Sequence, residues 1–502
     1  MSLVGLDVGT TGTKAVVVDS RGRILGESYR EYPLYTPQPG WNELDPVEVW
    51  SAVRTVLGEA VSRAGAADPV RAIGISSQGE AGVALATDGG ILARSQVSFD
   101  QRSTPQCERW AADFGAERTF EITGQPVHPM YTLPKLIWMR ENEPGFAERL
   151  WKFLCFEEYV IYQLTGELAA SWALASRTMA FDVRRKCWSK EILDAAGFSE
   201  AIFAAPLPSG TPVARVRPEV ADELDLPSDT IVATAGHDQP CGALGAGIVR
   251  AGVAVDGTGT VECITPAFSE PVLNETMRRN SFCCYPHTVR DLYVTLAFCF
   301  AGGSLLRWFR DTLGAGEMAE ARRTGRDVYD LIVGNATPGP VSVLALPHFA
   351  GAGTPYFDAG SKGAFVGLTL GTTRGDLIKA LLDSVTFEMR VNLERLDVAG
   401  VRIDELRAIG GGAKSPTWLQ LKADIFGKPV TALDVTEAPC LGAALCAGLA
   451  VGEYASATEA VAAAVRDGRR YEPSAGVRDR YTEKYEVYKA LYPALQNLSP
   501  RL

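Results

Sequence analysis

The apolar positions alternate with short polar turns, then fall into helical repeats, then alternate again. That succession predicts an α/β protein. Leu3-Val4-Gly5-Leu6-Asp7-Val8 reads as a strand, Gly9-Thr10-Thr11-Gly12 as a turn and Lys14 to Asp19 as a second strand. Ser20-Arg21-Gly22 turns the chain into a third strand, Arg23 to Tyr29. A helix is expected next, with Asp45 as N-cap, Pro46 at the first helical position and Glu48 completing a capping box. Val49, Val53, Val56, Leu57 and Ala60 then share one face. A buried strand from Arg71 to Ser77 ends in the polar cluster Gln78-Gly79-Glu80. Another strand, from Thr230, ends at Gly236-His237-Asp238, and the small residues that follow, Pro240 to Gly247, predict a helix so slender that a backbone or a ligand can lie against it.

After Gly252 the opening pattern returns. Val253 to Asp256 is a strand, Gly257-Thr258-Gly259-Thr260 a Gly/Thr turn and Val261 to Ile264 the returning strand. Two such units, one near the start of each half, suggest duplicated domains facing a shared cleft. The halves are placed at 1–246 and 247–502, with the last helix (about 475–495) packing back on the first. Helices are also expected from Leu305 to Leu313 and from Gly375 to Leu396, the latter opened by Thr373 and Asp376. Leu406 to Ile409 is a strand that runs into Gly410-Gly411-Gly412-Ala413-Lys414-Ser415-Pro416.

Length agrees with the repeat, since 502 residues exceed one hydrophobic core. A net charge of -11 argues against a nucleic-acid partner, because phosphate backbones are held by Lys and Arg, although a locally basic cleft is still compatible with a small phosphorylated ligand. No apolar run reaches the roughly 18 residues a membrane span needs; Ala438 to Val451 falls short. The opening Met1-Ser2-Leu3-Val4-Gly5 lacks a basic region and an apolar region, so no secretory signal and a cytoplasmic location are expected. Ten cysteines without a C-x-x-C pair, and only four histidines, read as reduced core thiols; the adjacent Cys283-Cys284 is the one candidate for redox activity.

No Walker A sequence and no G-x-G-x-x-G opening a strand–turn–helix unit occurs, so the two Gly/Thr turns are the phosphate-binding candidates. Their clustered N–H groups and hydroxyls suit phosphate oxygens, and Lys14 adds a charge at the end of the first. Asp7 is placed to hold Mg²⁺, which commonly takes one or two carboxylates plus substrate phosphates. Asp238, at a strand end, can accept the proton of an attacking hydroxyl, while Gln239 and Glu80 hold neighbouring hydroxyls. As an ordinary strand-end residue before Pro240, Asp238 is instead a helix N-cap.

These segments resemble, in order and over essentially the whole chain, the FGGY carbohydrate kinase family. Gly5-Leu-Asp7-Val-Gly-Thr-Thr-Gly-Thr-Lys14 is similar to its first phosphate motif and Pro39-Gly-Trp41-Asn-Glu43-Leu-Asp45-Pro46 to the segment that follows. Asp100-Gln-Arg102 is similar to a site strand, Gly236-His-Asp238-Gln239 to the catalytic-base motif and Asp256-Gly-Thr258-Gly to the second phosphate motif. Gly363-Ala-Phe-Val-Gly367, Gly410-Gly-Gly-Ala-Lys-Ser415 and Glu437-Ala-Pro-Cys-Leu-Gly442 resemble the late signatures. The resemblance implies two actin-like, ribonuclease-H-like domains closing over MgATP and a small sugar or polyol. By position it implies Asp238 as general base and Asp7 as the metal-side carboxylate. It assigns Thr10, Thr11, Lys14, Gly257, Thr258, Gly303, Arg307, Gly411, Gly412 and Lys414 to the nucleotide. Gln78, Glu80, Asp100, Arg102, Tyr131 and Gln239 line the acceptor pocket, and the assembly allows a homodimer.

Xylulokinase-like members carry Met-His where this chain has Gly79-Glu80, and glycerol kinase-like members carry Arg-Glu. Phe99 also departs from the usual pattern. The missing side chain at Gly79 suggests a widened pocket and an acceptor of four or more carbons, a ketose or polyol, with a triol kinase as the alternative. A non-catalytic ATPase of the actin-like fold and an inactive binding relative are the other readings.

Overall fold

In the computed structural model, which describes residues 2–65 and 68–499, each half is built on one mixed sheet. Met1 and residues 500–502, named in the expectations above, lie outside the described residues. In the first half β1 (Ser2–Val8), β2 (Gly12–Asp19) and β3 (Ile24–Glu31) form the expected meander, followed by α1 (Pro46–Ala64) and β4 (Val70–Ser77). β5 (Pro212–Arg215) and β6 (Ile231–His237) complete the order β5-β6-β4-β1-β2-β3, and α2 (Asp238–Gly245) leaves the end of β6. The first three strands pair antiparallel, β1-β4 and β4-β6 pair parallel, and β5 returns antiparallel.

The second half repeats this. β7 (Val253–Thr258) pairs antiparallel with β8 (Glu262–Phe268), which pairs antiparallel with Ala297–Cys299. After α3 (Gly303–Leu313), α4 (Val328–Gly334) and α5 (Arg374–Ala399), β9 (Glu405–Ile409) runs parallel to β7. α6 (Pro416–Phe426) and β10 (Val430–Leu433) follow, β10 parallel to β9; α7 (Ala438–Ala450) precedes the antiparallel β11 (Asp467–Tyr471). The sequence of pairings is the same in both sheets, and Asp7 and Asp256 lie on corresponding strands. The duplicated ribonuclease-H-like architecture follows from these two ladders.

Three local expectations are corrected. Asp45 caps α1 through Val47 N–H, but Glu48 closes no capping box, because its carboxylate accepts from the Tyr35 hydroxyl at 2.8 Å. Gly257 and Thr258 are ladder residues of β7, so the second turn begins at Gly259. The C-terminal helix is broken into α8 (Ala475–Tyr488) and α9 (Leu491–Leu495), and α8 packs on α6. Tyr481, Tyr485 and Tyr488 are buried against Phe387 of α5.

The segment that does cross over is α7, whose backbone lies on β1 and β4 and against α2. The reason is steric. Gly5 and Gly74 are register partners, and a Cβ on them would stand 1.7 Å from the Cys440 carbonyl oxygen and 2.0 Å from that of Ala443. Gly245 and Gly442 bring the α2 and α7 backbones equally close. The small-residue helix after Asp238 is thus the seat of another backbone. Gly5→Ala is expected to lower stability by about 1–3 kcal/mol or more through overpacking. Gly334→Ala, with nothing within 4 Å of its new Cβ, should leave the thermal unfolding midpoint nearly unchanged.

Candidate active site

The parallel strands β1, β4 and β6 end at one edge, and each delivers polar residues there. β6 reaches its end through a bulge between Thr234 and Gly236, and Gly236 has φ +139, a conformation L side chains rarely adopt. The bulge re-aims His237 and Asp238. Asp238 begins α2 with its carboxylate largely buried, and Oδ1 receives no hydrogen bond of good geometry; His237 Nε2 stands 3.2 Å away. His237 Nδ1 meets the Tyr285 hydroxyl at 2.8 Å. Burial and the nearby Arg177 charge hold His237 well below its usual pKa, so it is neutral. Burial, and then the charges of Asp7 and Glu80, push Asp238 up to about 7, against the Gln239 hydrogen bond and Arg177. A carboxyl that titrates near neutrality, with an unfilled oxygen, is suited to take a proton.

Asp7 sits on β1, its Oδ1 accepting from Ser76 at 2.7 Å. Among the described residues no cation lies within ion-pair distance of it; burial and Glu437 push it up to about 6 despite the Ser76 bond. Its counterpart Asp256 is treated differently. Lys422 of α6 is fully buried and donates to Asp256 at 2.7 Å and to the Thr258 hydroxyl at 2.6 Å, with Glu262 at 3.1 Å. Burial opposes the Lys422 charge, but Asp256 and Glu262 outweigh it and raise its pKa, while burial raises Glu262 to about 8. One carboxylate of the repeat is therefore neutralised within the protein and the other is left open.

Around the first turn, the Thr10 hydroxyl donates to Gln78 Oε1 at 2.8 Å and Gln78 Nε2 donates to the Gly9 carbonyl at 3.1 Å. Gln78, expected in the acceptor pocket, thus uses both ends of its amide to brace the turn after β1. Thr11 is exposed at the tip. Lys14 is paired with Glu437 at 2.6 Å and Glu27 at 3.3 Å, so its charge ties the turn to the start of α7.

In the second half Thr258, Gly303, Arg307, Gly411, Gly412 and Lys414 line one cavity of about 490 Å³. All were expected beside the nucleotide; Gly257 lies one residue short of its wall. Tyr329 and Trp418 give it aromatic faces, and Asp327 and Asp330 carboxylates, none of which had a sequence signal. A hollow of about 640 Å³ lined by Arg118, Asp182, Arg184 and Trp188 shares no residue with this site.

Two acceptor-pocket expectations meet internal partners in the structure. Arg102 donates from Nε and Nη2 to Asp100 and from Nη1 to Glu43 at 2.7 Å, and it stacks on Trp41 at 3.9 Å. Asp100 also accepts from Asn42 N–H. Both are buried, and they close on each other as a structural ion pair. Second, Gly79 opens no volume: a Cβ there would meet His237 Nε2 at 3.0 Å and Arg177 Nε at 3.3 Å. Glu80, held at φ 67, faces Arg177, whose Nε donates to Glu80 Oε1 at 2.6 Å. Tyr131 lies beneath the same guanidinium at 5.0 Å, and Gln239 follows Asp238 in the first turn of α2.

A duplicated ribonuclease-H-like fold, with glycine turns, a nucleotide-sized cavity and a near-neutral carboxyl, defines a two-domain phosphotransferase. The N-terminal domain of the FGGY family of carbohydrate kinases matches residues 2–245 and its C-terminal domain residues 252–451. The chain belongs to that family, and it is an ATP-dependent kinase that phosphorylates a hydroxyl of a small sugar or polyol. It is 29% identical to the xylulose kinase of Bacillus subtilis, covering 100% of this chain and 98% of that one. It is 31% identical to the glycerol kinase of Deinococcus radiodurans, covering 95% and 94%. The crystal structure of xylulose kinase from Rhodospirillum rubrum superposes with a TM-score of 0.89 at 27% identity, covering 99% of each chain. Among the described residues no helix is long and apolar enough to cross a membrane. All ten cysteines, Cys283 and Cys284 included, are free thiols.

Proposed function

We propose that the acceptor is an uncharged sugar or polyol and that Asp238 removes the proton of the hydroxyl that attacks the γ-phosphate. The observation that carries this is the buried, unfilled Asp238 Oδ1, backed by neutral His237 and within electrostatic reach of Asp7 and Glu80. Glu80 and Gln239 hold neighbouring hydroxyls, and Tyr131 forms an aromatic wall. Thr11 and the turn after β1 receive the γ-phosphate side, and the cavity between α3, α4 and the Gly410–Gly412 turn receives the rest of the nucleotide. No group of three or more metal-ligating side chains occurs among the described residues, which suits an ion held mainly by phosphates. Asp7, open where Asp256 is neutralised, fits Mg²⁺, which would supply charge neutralisation at the transferred phosphoryl group.

A five-carbon ketose is the first candidate acceptor, on the end-to-end likeness to xylulose kinases. Glu80 favours glycerol as a second, since it stands where glycerol kinase-like members carry Glu. The space argument for four or more carbons no longer supports either, because Arg177 and His237 occupy the volume beside Gly79. A panel of glycerol, tetritols, pentuloses and hexuloses with MgATP tests the reading. One neutral acceptor should give kcat/KM in the range of about 10⁴–10⁸ M⁻¹s⁻¹. ATP turnover that no acceptor stimulates would count against it. Free buried thiols support a reducing, cytoplasmic setting.

A further inference from the structure

Arg177 belongs to no motif of the sequence. It sits in the single turn Ser176–Thr178 and is buried beneath the acceptor pocket. Its Nε and Nη2 both converge on Glu80 Oε1, and Nη1 donates to Gln125 Oε1 at 3.2 Å. The guanidinium lies over the rings of Tyr131 at 5.0 Å and Tyr285 at 5.2 Å, and Tyr285 also holds His237. One Glu80 oxygen is therefore saturated, whereas no hydrogen bond among the described residues ends on Oε2. The Glu80 side chain is only 3% exposed, so an unpaired charge there would be costly.

We propose that the Arg177–Glu80 ion pair, rather than Glu80 alone, determines acceptor specificity: it reserves Glu80 Oε2 for substrate hydroxyls and restricts the pocket to uncharged sugars and polyols. This rests on the acceptor-pocket assignment above. A carboxylated sugar is rejected because the guanidinium beside Glu80 is already occupied, and Asp7 and Asp238 add repulsion. Removing the Glu80 charge frees that guanidinium while keeping the shape of the site. Arg177 is thus a positioning residue with a latent anion-binding capacity.

The test compares wild type, Glu80→Gln, Arg177→Lys, Arg177→Met and the Glu80→Gln/Arg177→Met double variant of the full chain. Each is assayed with MgATP on neutral acceptors and on the aldonates of equal carbon number. Wild type should prefer the neutral acceptor by about 10²-fold or more. Glu80→Gln should lose about 10²-fold on the neutral acceptor and gain about tenfold on the aldonate. Arg177→Met should raise acceptor KM about 10²-fold with ATP KM unchanged, and Arg177→Lys should recover only part of the loss, lacking the fork. The double variant should regain the thermal stability lost in Arg177→Met without regaining either activity. Glu80→Gln that is folded and active on neutral acceptors but gains nothing on aldonates overturns the proposal. So does Arg177→Met or Arg177→Lys with wild-type acceptor KM. Either result, with wild type still phosphorylating neutral acceptors, leaves the kinase reading standing; a wild type inactive on every acceptor overturns both.

Discussion

Asp238→Asn is expected to lower kcat by about 10²–10⁴-fold while leaving ATP affinity close to wild type. The substitution keeps the shape of the side chain and its neighbour His237, and it removes only the ability to accept a proton. Burial and the charges of Asp7 and Glu80 hold the Asp238 carboxyl at about 7, and the carboxylate is the active form. Wild-type kcat/KM should therefore fall on the acid side of about pH 7, by up to tenfold per pH unit, and be flat above it. The residual activity of Asp238→Asn should lack this limb. Stability should move the opposite way. The folded pKa lies above the unfolded value, so the charged carboxyl destabilises the free enzyme fully above about pH 7 and less as pH falls. Asp238→Asn should accordingly raise the unfolding midpoint at pH 8 and keep only a reduced part of that advantage at pH 5, since the effect disappears only below the unfolded carboxyl value. Steady-state kinetics across pH and a thermal melt at the two pH values check both parts. A variant with near wild-type kcat would remove Asp238 from the role of base.

The second large effect is expected at Lys422→Met. Lys422 lies within hydrogen-bonding distance of Asp256, Thr258 and Glu262, all buried. Taking away the cation leaves two carboxyls in a dry environment with no compensating charge, a change worth about 3–5 kcal/mol. The loss should shrink as pH is lowered, because protonation removes the uncompensated charge. Lys362→Met, at an exposed position, should change stability by no more than about 0.5 kcal/mol. Chemical denaturation at two pH values measures the difference. The same deletion releases the Thr258 hydroxyl, now fixed by Lys422 and Glu262, so the nucleotide cavity should also bind ATP more weakly. Equal stability of the two variants would mean that the cluster carries no net charge interaction.

In the segments around the two glycine turns and the strand ends, the sequence by itself determined element types and the duplication, because these depend on periodicity and on turn residues a few positions apart; the helices between Glu80 and Thr230 carried no such signal. Strands read at Leu3–Val8, Arg71–Ser77 and Leu406–Ile409 lie within observed strands, and the helix opened by Thr373 and Asp376 has the capping box their spacing implies. Most of the lining of the cavity proposed for the nucleotide was legible for a similar reason: glycines and threonines at a strand end act through the backbone. Side-chain partnerships were decided only by tertiary structure. Arg177 is a lone arginine in an apolar stretch, and nothing local tells that it reaches Glu80, 97 residues away, whereas Arg102 closes on Asp100 two residues before it. Gly79 looked like missing bulk, yet a void in a chain is filled by whatever the fold brings there, here His237 and Arg177. Asp7 and Asp256 sit in equivalent sequence motifs, and only the arrival of Lys422, from 166 residues further on, neutralises one and leaves the other open to a ligand. Charge compensation in a buried site is a property of spatial neighbours, and neighbours that distant leave no trace in spacing or composition.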